Sequence, residues 1–189
     1  MVIVLMASGL LAGCGLGAQS APQALGTRGG VHQLEHSVSH PSTSVPDLPL
    51  ARVTIFLEGS NERLTRVHRE VSSPATLQEI MDQLVAGPRR AESDRGLVSP
   101  ASSVGPFSVG QLRDGVVTLD LPVSFENLSG QDQTAAAAQI VFTATTFTGI
   151  DGVRFLVGGQ PAQVPNGNGS LSPGPSTRKD YSMFGAGQT

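Results

Sequence analysis

Phe107-Ser108-Val109-Gly110-Gln111-Leu112-Arg113-Asp114-Gly115-Val116-Val117-Thr118-Leu119-Asp120-Leu121 contains two short apolar-polar alternations on either side of an Asp-Gly pair. Such a pair between alternating segments is a strong local signal for a two-residue hairpin, because both central residues of that turn need positive φ. The spacing predicts strands over 107–113 and 116–121. Val117, Leu119 and Leu121 then share one face, with Thr118 and Asp120 on the other. Asp120 invites pairing with Asp114 or Glu126 as an acid/base couple. However, Asp114 belongs to the turn and Glu126 lies across Pro122, so the segment is read as architecture and no catalytic residue is assigned.

Downstream of this hairpin, Ser129 and Asp132 have the spacing of a helix cap, and the helix they open runs through about Phe147. Its inner stripe is Ala136, Ala137, Ile140, Val141, Ala144 and Phe147, and the alanines imply close approach to a sheet. Gly149 stops it. A strand follows at Val153–Val157, with Val153, Phe155 and Val157 on one face. Gly158-Gly159 turns the chain into Gln160–Val164, which Pro161 confines to a sheet edge.

Upstream, Val53, Ile55 and Leu57 alternate in a strand over 52–58, and Gly59-Ser60-Asn61-Glu62 turns into a returning strand over 63–71. That strand carries Arg63, Arg66, His68 and Arg69. Alternation sends Arg63 and Arg69 to one face and Arg66 with His68 to the other, so they form no single basic stripe and read as a solvated edge strand. Leu77, Ile80, Met81, Leu84 and Val85 follow the i, i+3, i+4, i+7, i+8 template of an amphipathic helix, with Thr76 and Glu79 as a capping box and Gly87-Pro88 as its end. Residues 89–103 are polar and are expected to run over the surface as an irregular loop.

The chain beyond Pro165 is rich in Gly, Ser and Pro. Its Gly167-Asn168-Gly169 lacks the third glycine and the helix of a dinucleotide site. Residues 183–189 are expected to be a disordered tail.

The N-terminal region sets location. Val2 to Leu10 is apolar and too short to span a bilayer. It ends in Leu11-Ala12-Gly13-Cys14, which resembles a bacterial lipobox. The resemblance implies a signal peptide over 1–13, cleavage between Gly13 and Cys14, and acyl chains on Cys14 as the membrane anchor. The first basic residue is Arg28, so either the start lies upstream of Met1 or the signal is processed inefficiently. Residues 14–50 hold no sustained period and read as a flexible tether with a span of roughly 30–35 Å. His32, His36 and His40 within it are spaced four apart, but Pro41 and the intervening serines favour solvated histidines over a metal site.

Composition narrows the possible functions. The chain has 189 residues, of which 14% are charged and 4% aromatic, with 23 Gly, 13 Pro and no Trp. One domain plus unpacked segments fits that length and composition. A net charge of −3 without a basic cluster argues against nucleic acid as partner. Cys14 is the only cysteine, so neither a disulfide nor a thiolate metal site is expected, and no cofactor is implied.

Five stretches in order carry a resemblance to the GerMN domain, the sporulation and spore germination family of bacterial envelope lipoproteins. They are Val53–Leu57 with its charged turn, Leu84-Val85-Ala86-Gly87-Pro88, Asp114–Leu121, Gln139-Ile140-Val141-Phe142-Thr143 and Gly152–Gly159. The resemblance implies a single α/β (α+β) domain over residues 51–182. Two helices would pack on one mixed sheet of five to six strands in ββαββαβ(β) order. It brings no catalytic residues to carry over, and it matches Gly87, Gly115, Gly149 and Gly158 to turns. Two functions remain. One is a membrane-anchored, extracytoplasmic, non-catalytic module that contacts an envelope protein. The other is a binder or processing enzyme for cell-wall glycan or a small ligand, using Asp120, Arg154 and His68 in a cleft.

Overall fold

The computed structural model describes residues 49–185. Gly13 and Cys14 with the rest of the lipobox-like stretch, His32, His36 and His40 in the expected tether, and residues 186–189 lie outside the described residues.

The chain opens with β1 (Leu50–Glu58) and β2 (Leu64–Ser72), antiparallel with Ile55 opposite Val67. Helix α1 (Leu77–Val85) follows and starts where the capping box predicts. The Glu79 amide donates to Thr76 Oγ1 at 3.2 Å, and the Thr76 amide to Glu79 Oε2 at 2.8 Å. Leu77, Ile80, Met81 and Leu84 form its buried face.

The expected surface loop over 89–103 is instead two short helices, α2 (Arg90–Ser93) and α3 (Pro100–Val104). They bury Glu92, Leu97, Ser99, Ala101 and Val104. Polar composition misled the reading here because two of the polar side chains point inward onto partners while the rest stay exposed or half-buried. Glu92 meets a buried arginine, and Ser99 meets Gln139.

β3 (Ser108–Arg113) and β4 (Val116–Leu121) form the predicted hairpin, with φ of 49° at Asp114 and 77° at Gly115. A Cβ at Gly115 would meet Asp151 Oδ2 at 2.7 Å, so glycine is required there for space as well as for backbone conformation. A 3-10 turn (Val123–Asn127) leads to α4 (Gly130–Ala144), capped by Ser129 as expected. β5 (Gly152–Val157), the two-residue β6 (Gln160–Pro161) and a second 3-10 helix (Arg178–Phe184) complete the chain. Phe184 is buried, which places the end of packed structure two residues beyond the expected boundary at 182.

Apart from α2 and α3 the order of strands and long helices is the expected one, but the six strands among the described residues divide between two sheets. β1 pairs only with β2, whereas the other sheet runs β3-β4-β5-β6, with β4 and β5 parallel across the α4 crossover. The separation has a local cause: the edge of β1 that faces away from β2 is occupied by side chains and a bridge instead of a strand. The Phe56 amide donates to Thr143 Oγ1 at 3.1 Å, and Thr146 Oγ1 donates to the Thr54 carbonyl at 3.4 Å. Glu58 exchanges both backbone hydrogen bonds with Val98, at 2.9 and 2.8 Å.

Helix α4 is more deeply buried than the expected stripe. Every residue from Thr134 to Ala144 is buried, because Ala135 to Ala138 let neighbours approach on all sides. The mid-helix Gln139 is fully buried, and its amide bonds backbone at the start of α3. Its Oε1 accepts from the Ala101 amide at 3.0 Å, and its Nε2 donates to the Val98 carbonyl at 3.2 Å. Gln139 and Thr143, one helical turn apart, therefore tie α4 to two different neighbours.

Candidate functional site

Alternation in β4 directs Val117, Leu119 and Leu121 into the core and leaves Val116, Thr118 and Asp120 on the outer face of the four-stranded sheet. Parallel pairing sets Arg154 of β5 opposite Thr118. On the other side β3 is bulged, so that Gly110 and Gln111 together oppose Thr118. Gln111, Thr118 and Arg154 thus lie across three strands, with Arg113 one position along. They line an open concavity of about 510 Å³ with Asp114 and Val116.

Arg154 also borders a second cleft of about 200 Å³ whose other walls include Pro161, Gln163, Ser172 and Ser176. It stands between the two depressions. Among the described residues, the only ion pair within 4.0 Å joins Arg69 and Glu92, so Arg113 and Arg154 each present an uncommitted guanidinium. A planar five-donor group free of a carboxylate partner suits recognition of an acidic or carbonyl-rich surface.

The other residues considered from sequence lie elsewhere. Asp120 is on the same outer face as Arg154, but its Oδ1 accepts from the Gly159 amide at 2.9 Å and holds the β5–β6 turn. His68 belongs to the β1–β2 sheet, with Nδ1 at 3.3 Å from Thr54 Oγ1, and it lines neither depression bordered by Arg154. The three do not form one cleft.

The arginines of β2 also depart from the solvated-strand reading. Arg66 and His68 are exposed, but Arg69 is only 3% exposed and lies on the core face. Its Nη1 and Nη2 each donate to one oxygen of Glu92 at 2.7 Å, and Nη2 also reaches the Gly87 carbonyl at 3.3 Å. This fork holds the Glu92 carboxyl below its usual range, helped by the Arg89 amide. An inward position in the strand alternation was visible in sequence, but its carboxylate partner 23 residues away was not.

Two further groups are electrostatically perturbed. Burial pushes the Glu58 carboxyl up, and the neighbouring Glu62 and Asp132 carboxylates add to the shift. Burial also pushes the Tyr181 phenol up to about 12; the hydroxyl donates to the Pro165 carbonyl at 3.1 Å. Among the described residues, the Ser176 side chain also hydrogen-bonds Tyr181 and offsets part of that rise. Those residues also hold no cluster of three or more His, Cys, Asp or Glu side chains able to bind a metal ion.

The chain is similar in fold to two solved structures of the sporulation protein GerM from Bacillus subtilis. Against its tandem GerMN domains the TM-score is 0.52 at 20% identity, covering 70% of this chain and 48% of the other. The chain thus spans about half of that tandem structure. Against the first GerMN domain alone the TM-score is 0.50 at 20% identity, covering 68% of this chain and 98% of the other. No curated protein gives a significant match. The profile of the family described as Germane: sporulation and spore germination matches residues 54–163, and it spans the two hairpins, α4 and β5. The chain belongs to the Germane (GerMN) family of sporulation and spore germination domains.

Proposed function

We propose that this protein is an extracytoplasmic lipoprotein, anchored through acyl chains on Cys14, whose GerMN domain is a non-catalytic binding module for another protein of the bacterial envelope. The observation that carries the reading is the outer face of the four-stranded sheet. Arg113 and Arg154 stand there without carboxylate partners among the described residues, beside Gln111 and Thr118. The perturbed groups elsewhere, Glu92 and Tyr181, are engaged in holding the fold. The lipobox at Leu11–Cys14 supports the location, and family membership supports a role connected with sporulation or germination.

The test is crosslinking and capture from membranes with the lipidated protein. A discrete protein should be recovered by wild type and lost with Arg113→Glu/Arg154→Glu, while Cys14→Ala should release the chain from the membrane fraction. An unchanged capture profile in the arginine variant would refute the assigned surface. An unchanged fractionation of Cys14→Ala would refute the anchor.

A second reading is favoured by the position of Arg154 between two depressions. A cell-wall glycan or other elongated ligand could lie across it, with its amides and hydroxyls meeting Gln111, Thr118 and Ser176. Titration with soluble wall fragments separates the readings. Saturable binding abolished by Arg154→Ala selects the glycan, and its absence leaves the protein partner.

A further inference from the structure

Three of the four sheet edges in this fold are blocked, each by an identifiable device. The outer edge of β1 is closed by Thr143, Thr146 and the Val98 bridge. The free edge of β3 is interrupted by the Gly110–Gln111 bulge, and Gln78 bonds its approach, accepting from the Val109 amide at 2.9 Å and donating to the Phe107 carbonyl at 3.0 Å. β6 is two residues long and contains Pro161. Such devices are how proteins avoid edge-to-edge pairing. Among the described residues, β2 has none along most of its nine residues.

The direction of its backbone groups follows from the register. Thr54, Phe56 and Glu58 bond away from β2, so their partners His68, Arg66 and Leu64 are the non-hydrogen-bonded pairs of the ladder. Arg66, His68 and Glu70 must then direct their amides and carbonyls outward. Among the described residues only the His68 carbonyl has a partner there, the Arg69 Nη1 at 3.2 Å. The other outward groups of these three residues have no hydrogen-bond partner among the described residues, and the three side chains are exposed on one face.

The spacing of these residues selects the occupant. Arg66 and Glu70 lie symmetrically on either side of His68. If a second β2 pairs antiparallel about a two-fold axis at His68, residue 66 faces residue 70 in both directions. Arg66 then stands opposite the partner subunit's Glu70, and Glu70 opposite the partner subunit's Arg66. The outward-directed residues also fall opposite one another, as hydrogen-bonded pairs require. A self-complementary patch of this kind is what a two-fold interface demands.

We propose that two copies of this chain join through the open edge of β2 in this register and form a continuous β1-β2-β2-β1 sheet. Because the opposite edge of β1 is already closed, the assembly stops at two copies. The Arg113–Arg154 face lies on the other sheet and takes no part, so the dimer goes beyond the binding role proposed above and does not depend on it.

The experiment is sedimentation of the full chain across a concentration series, with a charge-reversal cycle. Wild type should show a monomer–dimer equilibrium. Arg66→Glu and Glu70→Arg each replace two attractive cross-strand pairs by two repulsive ones, and each should weaken association by about tenfold or more. The double variant restores opposite charges and should return the dissociation constant to within about threefold of wild type, while Arg154→Glu should leave it unchanged. Amide exchange at Arg66, His68 and Glu70 should slow as the dimer forms. A wild-type chain that stays monomeric throughout overturns the proposal. Protection of those amides in such a monomer would assign the edge to another segment of the same chain. A dimer insensitive to either single reversal, or one the double variant fails to restore, also overturns it.

Discussion

Replacing Glu92 by Gln tests how β2 is held to the α2 segment, because the change keeps the shape of the side chain and removes its charge. In the native fold the Arg69 guanidinium gives one nitrogen to each carboxylate oxygen at 2.7 Å, and the Arg89 amide also donates to Oε2 at 2.7 Å. With Gln at position 92, one fork contact becomes a clash of donors, and Arg69 keeps one uncharged amide oxygen beside the His68 and Gly87 carbonyls at 3.2 and 3.3 Å. A buried cation stripped of its counter-charge costs about 3–5 kcal/mol. For a domain of this size that corresponds to a fall in melting temperature of roughly 10–15 °C.

The double variant Arg69→Met/Glu92→Leu removes both charges. It should cost at least about 2 kcal/mol less than the sum of the single variants, because neither group is left alone. Calorimetry or urea unfolding of the four proteins gives the coupling directly. The acid limb supplies a second readout. Glu92 titrates below its unfolded value, so its contribution is complete above the unfolded carboxylate range and is lost as pH falls through the folded value. That loss should be missing from the double variant. A loss of under about 1 kcal/mol in Glu92→Gln, or strict additivity in the cycle, would refute the fork as the element that fixes β2.

Other predictions follow from single side chains. Gln139→Leu is close in volume but leaves the Ala101 amide unpaired in the core, the Val98 carbonyl keeping only its bond from the Glu58 amide, and should cost about 1–3 kcal/mol by urea unfolding; a near-neutral result would mean α3 does not rely on Gln139. Thr143→Val removes the acceptor of the Phe56 amide and should cost about 1–3 kcal/mol, with faster exchange at that amide specifically. Gly115→Ala places a methyl carbon 2.7 Å from Asp151 Oδ2 at positive φ and should cost about 1–3 kcal/mol; Gly115→Ala/Asp151→Ala should recover the steric part but not the backbone part. Tyr181 is the only tyrosine and Trp is absent, so the near-ultraviolet phenolate signal of the whole chain reports this one group. Its folded value of about 12 exceeds the unfolded value of about 10, so its contribution is full below the unfolded value and is lost as pH rises through the folded one. The phenolate should therefore appear late in an alkaline titration, and a midpoint near the unfolded value would contradict the burial of Tyr181.

Local rules carried much of the fold. The Asp114-Gly115 turn, the Thr76 and Ser129 caps, the inward faces of β1, β4 and β5 and the element order all follow from period and turn chemistry, which act over a few residues. What escaped depends on distant partners. Nothing near residues 89–103 shows that Glu92 will meet Arg69 or that Ser99 will meet Gln139, so polar residues there resembled a surface loop. The division into two sheets likewise rests on Thr143 and Thr146 reaching β1, which the helical pattern of α4 does not reveal. The outer-face shelf was half legible. Alternation placed Thr118 outward, but setting it beside Arg154 required knowing that β4 and β5 are parallel neighbours.

The hydrogen bond from the Phe56 amide to Thr143 spans 87 residues of chain. A ribosome adding 5–20 residues each second needs roughly 4–17 s to make that stretch. For that interval the first hairpin lacks the α4 contacts on its β1 margin, which has only the Val98 bridge at Glu58 and is rich in the β-branched and aromatic residues that favour aggregation. The acceptor that quiets this margin arrives late in synthesis, on the last long helix. Vulnerability to misassembly is therefore concentrated in the nascent chain, before α4 has been made.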